Sequence, residues 1–193
     1  MKTVAVFDFD NTLITGDSFM PFLCHAAGTI PTYAALFSAI AIFSLRKPTD
    51  NLRTAIKAFL LDRLLKGKKI ADLSNAAAQI RRWQKINDPI MQNLREHHAK
   101  GDTIVIASGG LDLYLPELLR DIPHDALICT DIGVENGIVT GQMINGNCVR
   151  QCKAERVAAW LAANGPFDET FGYGNYPHDV PMLNLVHHRI IVS

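Results

Sequence analysis

The feature that most limits how this chain folds is the gap between its first two strand-like segments. "KTVAVFDF" (residues 2–9) is short, apolar and rich in Val and Phe, the pattern of a strand buried on both faces. The next comparable segment, "DTIVIASGG", begins only at Asp102. Between them lie helical patterns: "MPFLCHAAG", "IPTYAALFSAIAIFSL", "NLRTAIKAFLLDRLLKG", "KIADLSNAAAQIRRWQKI" and "PIMQNLREHHAKG". Gly28, Pro31, Pro48, Gly67, Pro89 and Gly101 punctuate them. A strand buried on both faces needs neighbours, so the helical block reads as an insertion into a sheet and not as a separate linear domain.

Beyond Gly101 strands and helices alternate. "LDLYLPELLRDI" reads as a helix, "DALICTDI" as a strand, and "GVENGIVTGQMI" as a hairpin, because Asn136-Gly137 is the dipeptide a type I′ turn favours. "KAERVAAWLAANG" reads as a helix stopped by Gly165, "DETFGYGN" as a strand entering a glycine-containing loop, and "HRIIVS" as a last strand. The expected fold is α/β: a Rossmann-like three-layer core with a parallel sheet, an inserted helical cap and a small β-hairpin. Residues 1–16 and 97–193 would form the core and residues 17–96 the cap.

Nineteen basic and nineteen acidic residues cancel in a chain of 193, which lacks the electrostatic footprint of a nucleic-acid binder. Acidic residues arrive by Asp8, too early for the apolar region of a signal peptide. Cys24, Cys129, Cys148 and Cys152 do not look like a secreted disulfide framework, and no paired CxxC or HxxxH spacing accompanies them. Reduced, partly buried thiols in a cytoplasmic protein are the expectation.

In open α/β sheets ligands bind at the carboxyl ends of the strands. Here those ends carry Asp8 and Asp10, then Ser108-Gly109-Gly110, then Gly174-Asn175. Side chains two apart on an extended segment point the same way, so Asp8 and Asp10 can face one reacting centre. Two such carboxylates stay ionised together only beside a cation, and a hard ion such as Mg²⁺ suits oxygen ligands and phosphate. The first carboxylate would then attack phosphorus while the second handles protons. The plainer alternative is a strand-end pair capping the next turn.

"DFDNTL" resembles the first motif (DxDxT) of the haloacid dehalogenase superfamily of phosphohydrolases. "TIVIASGG" resembles its second motif, Lys153 in "QCKAERVAAWL" its third, and "FGYGNYPHDVPML" its acidic fourth. The resemblance spans nearly the whole chain, and the helical insert, "SGG" and "DVPML" are similar to the phosphoserine-phosphatase-like branch. It implies that Asp8 is the nucleophile and forms an aspartyl-phosphate. Asp10 would protonate the leaving oxygen, activate the hydrolytic water and bind Mg²⁺ through its carbonyl. Thr12 would brace the loop, Ser108 and the Gly109 amide would hold phosphoryl oxygens, and Lys153 would neutralise phosphate and nucleophile. Taken singly, Ser108 reads as a turn residue and Lys153 as a solvated helix start; it is their conjunction that points to a site.

Asn175 stands where the family usually has the first aspartate of its fourth motif, while Asp179 keeps the second place. An amide oxygen still ligates Mg²⁺ but brings no charge, so weaker metal binding is expected, or a descendant that binds phosphate esters without hydrolysing them. Asp8, Asp10, Asn175 and Asp179 are the expected metal set.

In the cap, the resemblance implies Asp17 for a substrate amine and Arg53 for a substrate carboxylate; the alternative is that both are solvated helix charges. Ile30 to Leu45 holds sixteen uncharged residues, short of a membrane span. It reads as a buried cap helix or as a face touching membrane or an acyl chain, as in phosphatidylglycerophosphatase-like relatives. The histidines at 97, 98, 124, 178, 187 and 188 are scattered and read as surface residues, His178 alone lying inside the fourth-motif loop. The expected activity is Mg²⁺-dependent hydrolysis of a small phosphomonoester such as phosphoserine. The alternatives are a lipid-phosphate phosphatase in peripheral contact with a membrane, or a weakened phosphoester-binding protein.

Overall fold

The computed structural model describes residues 1–44 and 52–192. Leu45 and Asn51 of the expected helical segments, the punctuating Pro48 between them, and Ser193 of the last strand lie outside the described residues. The chain runs β1 (Thr3–Phe7), α1 (Phe19–Ala27), α2 (Thr29–Ser44), α3 (Leu52–Leu64), α4 (Ile70–Trp83), α5 (Asp88–Ala99) and β2 (Thr103–Leu111). It continues through α6 (Leu115–Leu118), β3 (Ala126–Thr130), β4 (Ile132–Glu135) and β5 (Ile138–Met143). α7 (Arg150–Asn164), β6 (Glu169–Asn175), α8 (Val180–Leu183) and β7 (His188–Val192) complete it.

Five strands form one sheet in the order β3-β2-β1-β6-β7, and every neighbouring pair is parallel. The near-continuous apolar run of β1 follows from its central place, because both of its faces are covered. Ala5 and Phe7 point with Ile104 and Ile106 into the larger apolar cluster. Val4 and Val6 point with Val105 and Ala107 against α7 and α8, meeting Ala154, Val157, Met182 and Leu183. Each fully buried large side chain of this kind contributes about 1.5–3 kcal/mol. The chain leaves β1 for β2 on one side and later returns to β6 on the other, so a crevice opens at the carboxyl end of β1.

β4 and β5 pair antiparallel as the expected hairpin. Asn136 (φ 52°) and Gly137 (φ 76°) both adopt the left-handed conformation that a type I′ turn requires. This hairpin is stitched to the turn between α3 and α4. Gly67 N–H donates to the Val139 carbonyl at 2.8 Å, Val139 N–H to Lys68 at 2.9 Å, and Ile70 N–H to Gly137 at 3.0 Å. The helical insertion is thus held to the body by backbone pairing as well as by side chains.

Three expectations change. The helix read over 111–122 shrinks to α6, because Leu111 still pairs with Thr130 in the sheet and Asp112 turns back to accept the Ile132 N–H. α2 is not a fully buried helix: Ile30 is 85% exposed and Phe37 68%, with Tyr33 and Ile40 beside them on one face. Its other face buries Thr32, Ala35 and Ala39. His97 is not a surface residue. It is buried, its Nδ1 lies 2.7 Å from Asp102 and its Nε2 3.0 Å from the Tyr173 hydroxyl. No helix among the described residues is long and apolar enough to cross a membrane.

Candidate active site

β1 ends at Phe7, and the backbone then turns so that Asp8 and Asp10 leave the sheet at the crevice. Asp8 N–H donates to the Tyr173 carbonyl of β6 at 2.9 Å, fixing where the carboxylate emerges. Asn11 takes φ 57°, a left-handed step that asparagine tolerates better than most residues. Thr12, fully buried, donates from Oγ1 to Asp8 Oδ2 at 2.7 Å. It braces the carboxylate and does not border the cavity.

Lys153 comes from the first turn of α7 and is buried. Its Nζ donates to Asp8 Oδ1 at 2.7 Å and to Asp179 Oδ1 at 2.6 Å. Burial alone would lower the lysine's pKa, but the two carboxylates outweigh it and hold the ammonium well above its ordinary range. One ammonium serves two buried carboxyl groups, and burial pushes Asp8 up toward its neutral form, so a further cation beside it would favour its charged state. Asp179 approaches this closely because residue 174 is glycine: a Cβ there would sit 2.7 Å from the Asp179 Cβ.

Asp10 lines the same cavity. Its Oδ1 accepts the Ser18 N–H at 2.8 Å, and the Ser18 and Tyr114 hydroxyls lie 2.9 Å apart behind it. Burial first, then the nearby Asp17 carboxylate, pushes Asp10 up to about 7, where a carboxyl group exchanges protons at neutral pH.

The expected Mg²⁺ requires hard oxygen donors. Asp8 Oδ2 and the Asp10 carbonyl oxygen converge on Asn175, whose Nδ2 donates to each at 3.3 Å. The two ends of an asparagine amide are nearly isosteric, so the same place accepts an amide oxygen facing a cation. With Asp8 favoured in its charged form by a further cation, this set fits a divalent ion. Both Asp179 oxygens are already committed, Oδ1 to Lys153 and Oδ2 to the Asn175 N–H at 3.0 Å. No cluster of three His, Cys, Asp or Glu that would hold a metal occurs among the described residues; the donor set here relies on a backbone carbonyl and an amide.

These groups floor a cavity of about 380 Å³. The cap supplies Asp17, Arg53, Thr54 and Lys57 as polar lining and Phe19, Met20, Leu36, Ile56 and Leu60 as an apolar wall. Gly109 and Gly110 border it, whereas Ser108 is fully enclosed and its Oγ accepts the Gly110 N–H at 2.9 Å. Ser108 therefore orders this end of β2 from beneath and does not open onto the cavity. Asp17 lines the wall with one carboxylate oxygen accepting the Met20 N–H at 3.1 Å. Arg53 donates to His178 Nε2 at 3.0 Å, joining the cap to the loop after β6. Lys57, Asn147 and Arg150, which belong to none of the motifs quoted above, also border the cavity. Lys57 left a trace: it lies four residues after Arg53, one helical turn along the same face, in the otherwise apolar "AIKAFLL".

Over residues 5–184 the chain matches the family model described as haloacid dehalogenase-like hydrolase. Protein CicA of Caulobacter vibrioides is 28% identical over 187 residues, covering 94% of this chain and 82% of that protein. A Bordetella pertussis Tohama I protein of unknown function has a similar fold, with TM-score 0.81 at 21% identity over 98% of this chain and 89% of its own. A phosphoserine phosphatase solved as a phospho-aspartyl intermediate analogue aligns with TM-score 0.66 at 16% identity, covering 98% and 86% of the two chains. With its motif residues gathered at the carboxyl end of β1, this chain belongs to the haloacid dehalogenase-like hydrolase family.

Proposed function

We propose that the protein is a Mg²⁺-dependent phosphomonoesterase working through an aspartyl-phosphate on Asp8. The observation that carries this reading is the buried Asp8–Lys153–Asp179 arrangement, at 2.7 and 2.6 Å, on the floor of a cavity with room for a phosphate ester. Asp8 Oδ attacks phosphorus in line, the P–O bond to the leaving group breaks, and Asp10 gives its proton to the departing oxygen. Asp10 then takes a proton from water as that water attacks the acyl phosphate, returning Asp8 as carboxylate and releasing inorganic phosphate. Lys153 holds charge on the phosphoryl oxygens, the Gly109 amide donates to them, and Thr12 keeps Asp8 in line. Mg²⁺ held by Asp8, the Asp10 carbonyl and Asn175, with Asp179 behind them, supplies charge neutralisation for the dianionic ester.

Residues 1–16 and 97–193 serve as the core and residues 17–96 as the cap that selects the leaving group. Asp17 and Arg53 border that part of the cavity and suit a small metabolite bearing an amine and a carboxylate, phosphoserine being the simplest. Hydrolysis of p-nitrophenyl phosphate with Mg²⁺, abolished by a chelator and by Asp8→Asn, tests the reaction; absence of hydrolysis with Mg²⁺ sinks it. A screen of phosphorylated metabolites then identifies the leaving group.

A second reading draws support from the apolar face of α2, where Ile30 and Phe37 stand exposed beside the cavity wall formed by Leu36. In it the substrate is a lipid phosphate and the cap touches the bilayer. Co-sedimentation with anionic liposomes separates the two, since a metabolite phosphatase stays in the supernatant.

A further inference from the structure

Lys57 is a lysine from the cap buried in the body of the protein. It is 8% exposed, and its Nζ donates to the Gly109 carbonyl at 2.5 Å, to Asn147 Oδ1 at 2.8 Å and to Thr130 Oγ1 at 3.3 Å. Thr54, one turn earlier on α3, accepts from Asn147 Nδ2 at 3.1 Å. Thr130 Oγ1 also meets the Gly109 carbonyl at 3.0 Å and accepts the Cys148 N–H at 3.1 Å. Two cap residues and four core residues thus form one polar knot beside the Ser108–Gly110 end of β2.

All three acceptors of the ammonium are neutral, and no carboxylate forms an ion pair with it among the described residues. A buried cation with only neutral partners is costly unless an anion comes near. The groups facing it are Asp10 and Asp17 from the loop after β1, the Cys129 thiol from β3, the Cys148 thiol before α7 and the Phe19 ring of α1 at 5.2 Å. Both cysteines are held neutral, burial pushing them up to about 12 and about 11.

We propose that Lys57 is a positioning residue that ties the presence of an anion in the cavity to the seating of α3 of the cap over the Ser108–Gly110 end of β2. Its ammonium holds the Gly109 carbonyl, in the peptide whose Gly110 N–H is bonded to Ser108 Oγ, so the backbone next to the Gly109 N–H is fixed for phosphate only when α3 is seated. With only neutral acceptors in contact and Asp10 and Asp17 acting from further off, its charge makes the seated arrangement more favourable with a phosphate dianion than without one. This rests on the phosphate-ester reading above but is tested apart from it.

Burial lowers Lys57 to about 8, Asp10 and Asp17 acting in the opposite direction. A nearby anion favours the charged form, so the lysine takes up a proton when the anion binds, and affinity must fall as pH rises past the free value. The experiment is calorimetric titration of the full-length protein with inorganic phosphate, at constant ionic strength and Mg²⁺, between about pH 8 and about pH 9.5. Wild type is expected to lose about tenfold in affinity across this interval. Lys57→Arg keeps its charge and is expected to bind equally well at both ends, whereas Lys57→Met binds weakly at both without a slope. A flat wild-type profile, or an unchanged slope in either variant, overturns the proposal. If Lys57→Met does not fold, the comparison of wild type with Lys57→Arg decides alone. Turnover of p-nitrophenyl phosphate is measured separately. Hydrolysis with a flat binding profile removes the role of Lys57 only, and a sloping profile without hydrolysis removes the phosphatase reading only.

Discussion

Lys153 Nζ stands 2.6 Å from Asp179 and 2.7 Å from Asp8, one buried cation shared by a carboxylate just after β1 and another just before α8. Replacing it by a neutral side chain leaves two buried carboxylates facing each other. Lys153→Met is expected to lose about 3–5 kcal/mol of stability in urea unfolding at pH 8. It should also lose at least about a thousandfold in turnover. A variant that stays as stable as wild type would show that the carboxylates do not depend on this ammonium.

Asn175 meets both Asp8 and the Asp10 carbonyl at 3.3 Å, yet it adds no charge to the metal set. Asn175→Asp is expected to lower the Mg²⁺ concentration for half-maximal activity by about tenfold, since ligand charge helps set affinity for the ion. An unchanged Mg²⁺ titration would remove Asn175 from the metal site.

Asp10 illustrates a cost that a site imposes on its fold. Its folded pKa, about 7, lies above the ordinary carboxylate value of 3.8, so the folded state binds the extra proton between these limits. Its contribution to stability is complete below the lower value and is lost as pH rises through the higher one. Asp10→Asn is therefore expected to raise the melting temperature of the metal-free protein at pH 8, with almost no gain at pH 4. Partial solvation of the carboxylate keeps the gain to about 1–2 kcal/mol. Equal effects at the two pH values would refute this account of Asp10.

At Gly174 the expected damage is local. An added methyl group meets Asp179 Cβ at 2.7 Å, and a buried partner of Lys153 has nowhere to retreat. Gly174→Ala should destabilise by about 1–3 kcal/mol and reduce turnover more than Gly109-distant surface variants do. Retention of full activity, measured beside a thermal melt, would mean that the loop yields without disturbing the lysine.

The order of elements, the parallel sheet and the helical insertion were legible in the sequence because they follow from local periodicity. "KTVAVFDF" is apolar throughout since β1 lies mid-sheet, and the Asn136-Gly137 dipeptide announced its turn through backbone sterics alone. Of the residues of the floor, Asp8 and Asp10 were legible from their place at a strand end, whereas Lys153 and Asp179 were singled out only by resemblance to the third and fourth family motifs. What they touch was not legible. Ser108 turned inward to Gly110, His97 was taken into the core by Asp102 and Tyr173, and α2 left one apolar face exposed. Lys57 shows the difference best. Its sequence neighbourhood marks a helix face, but its partners lie 52, 73 and 90 residues away. Periodicity records which way a side chain points from its own backbone. Which distant carbonyls and amides meet it is decided only when cap and sheet pack together.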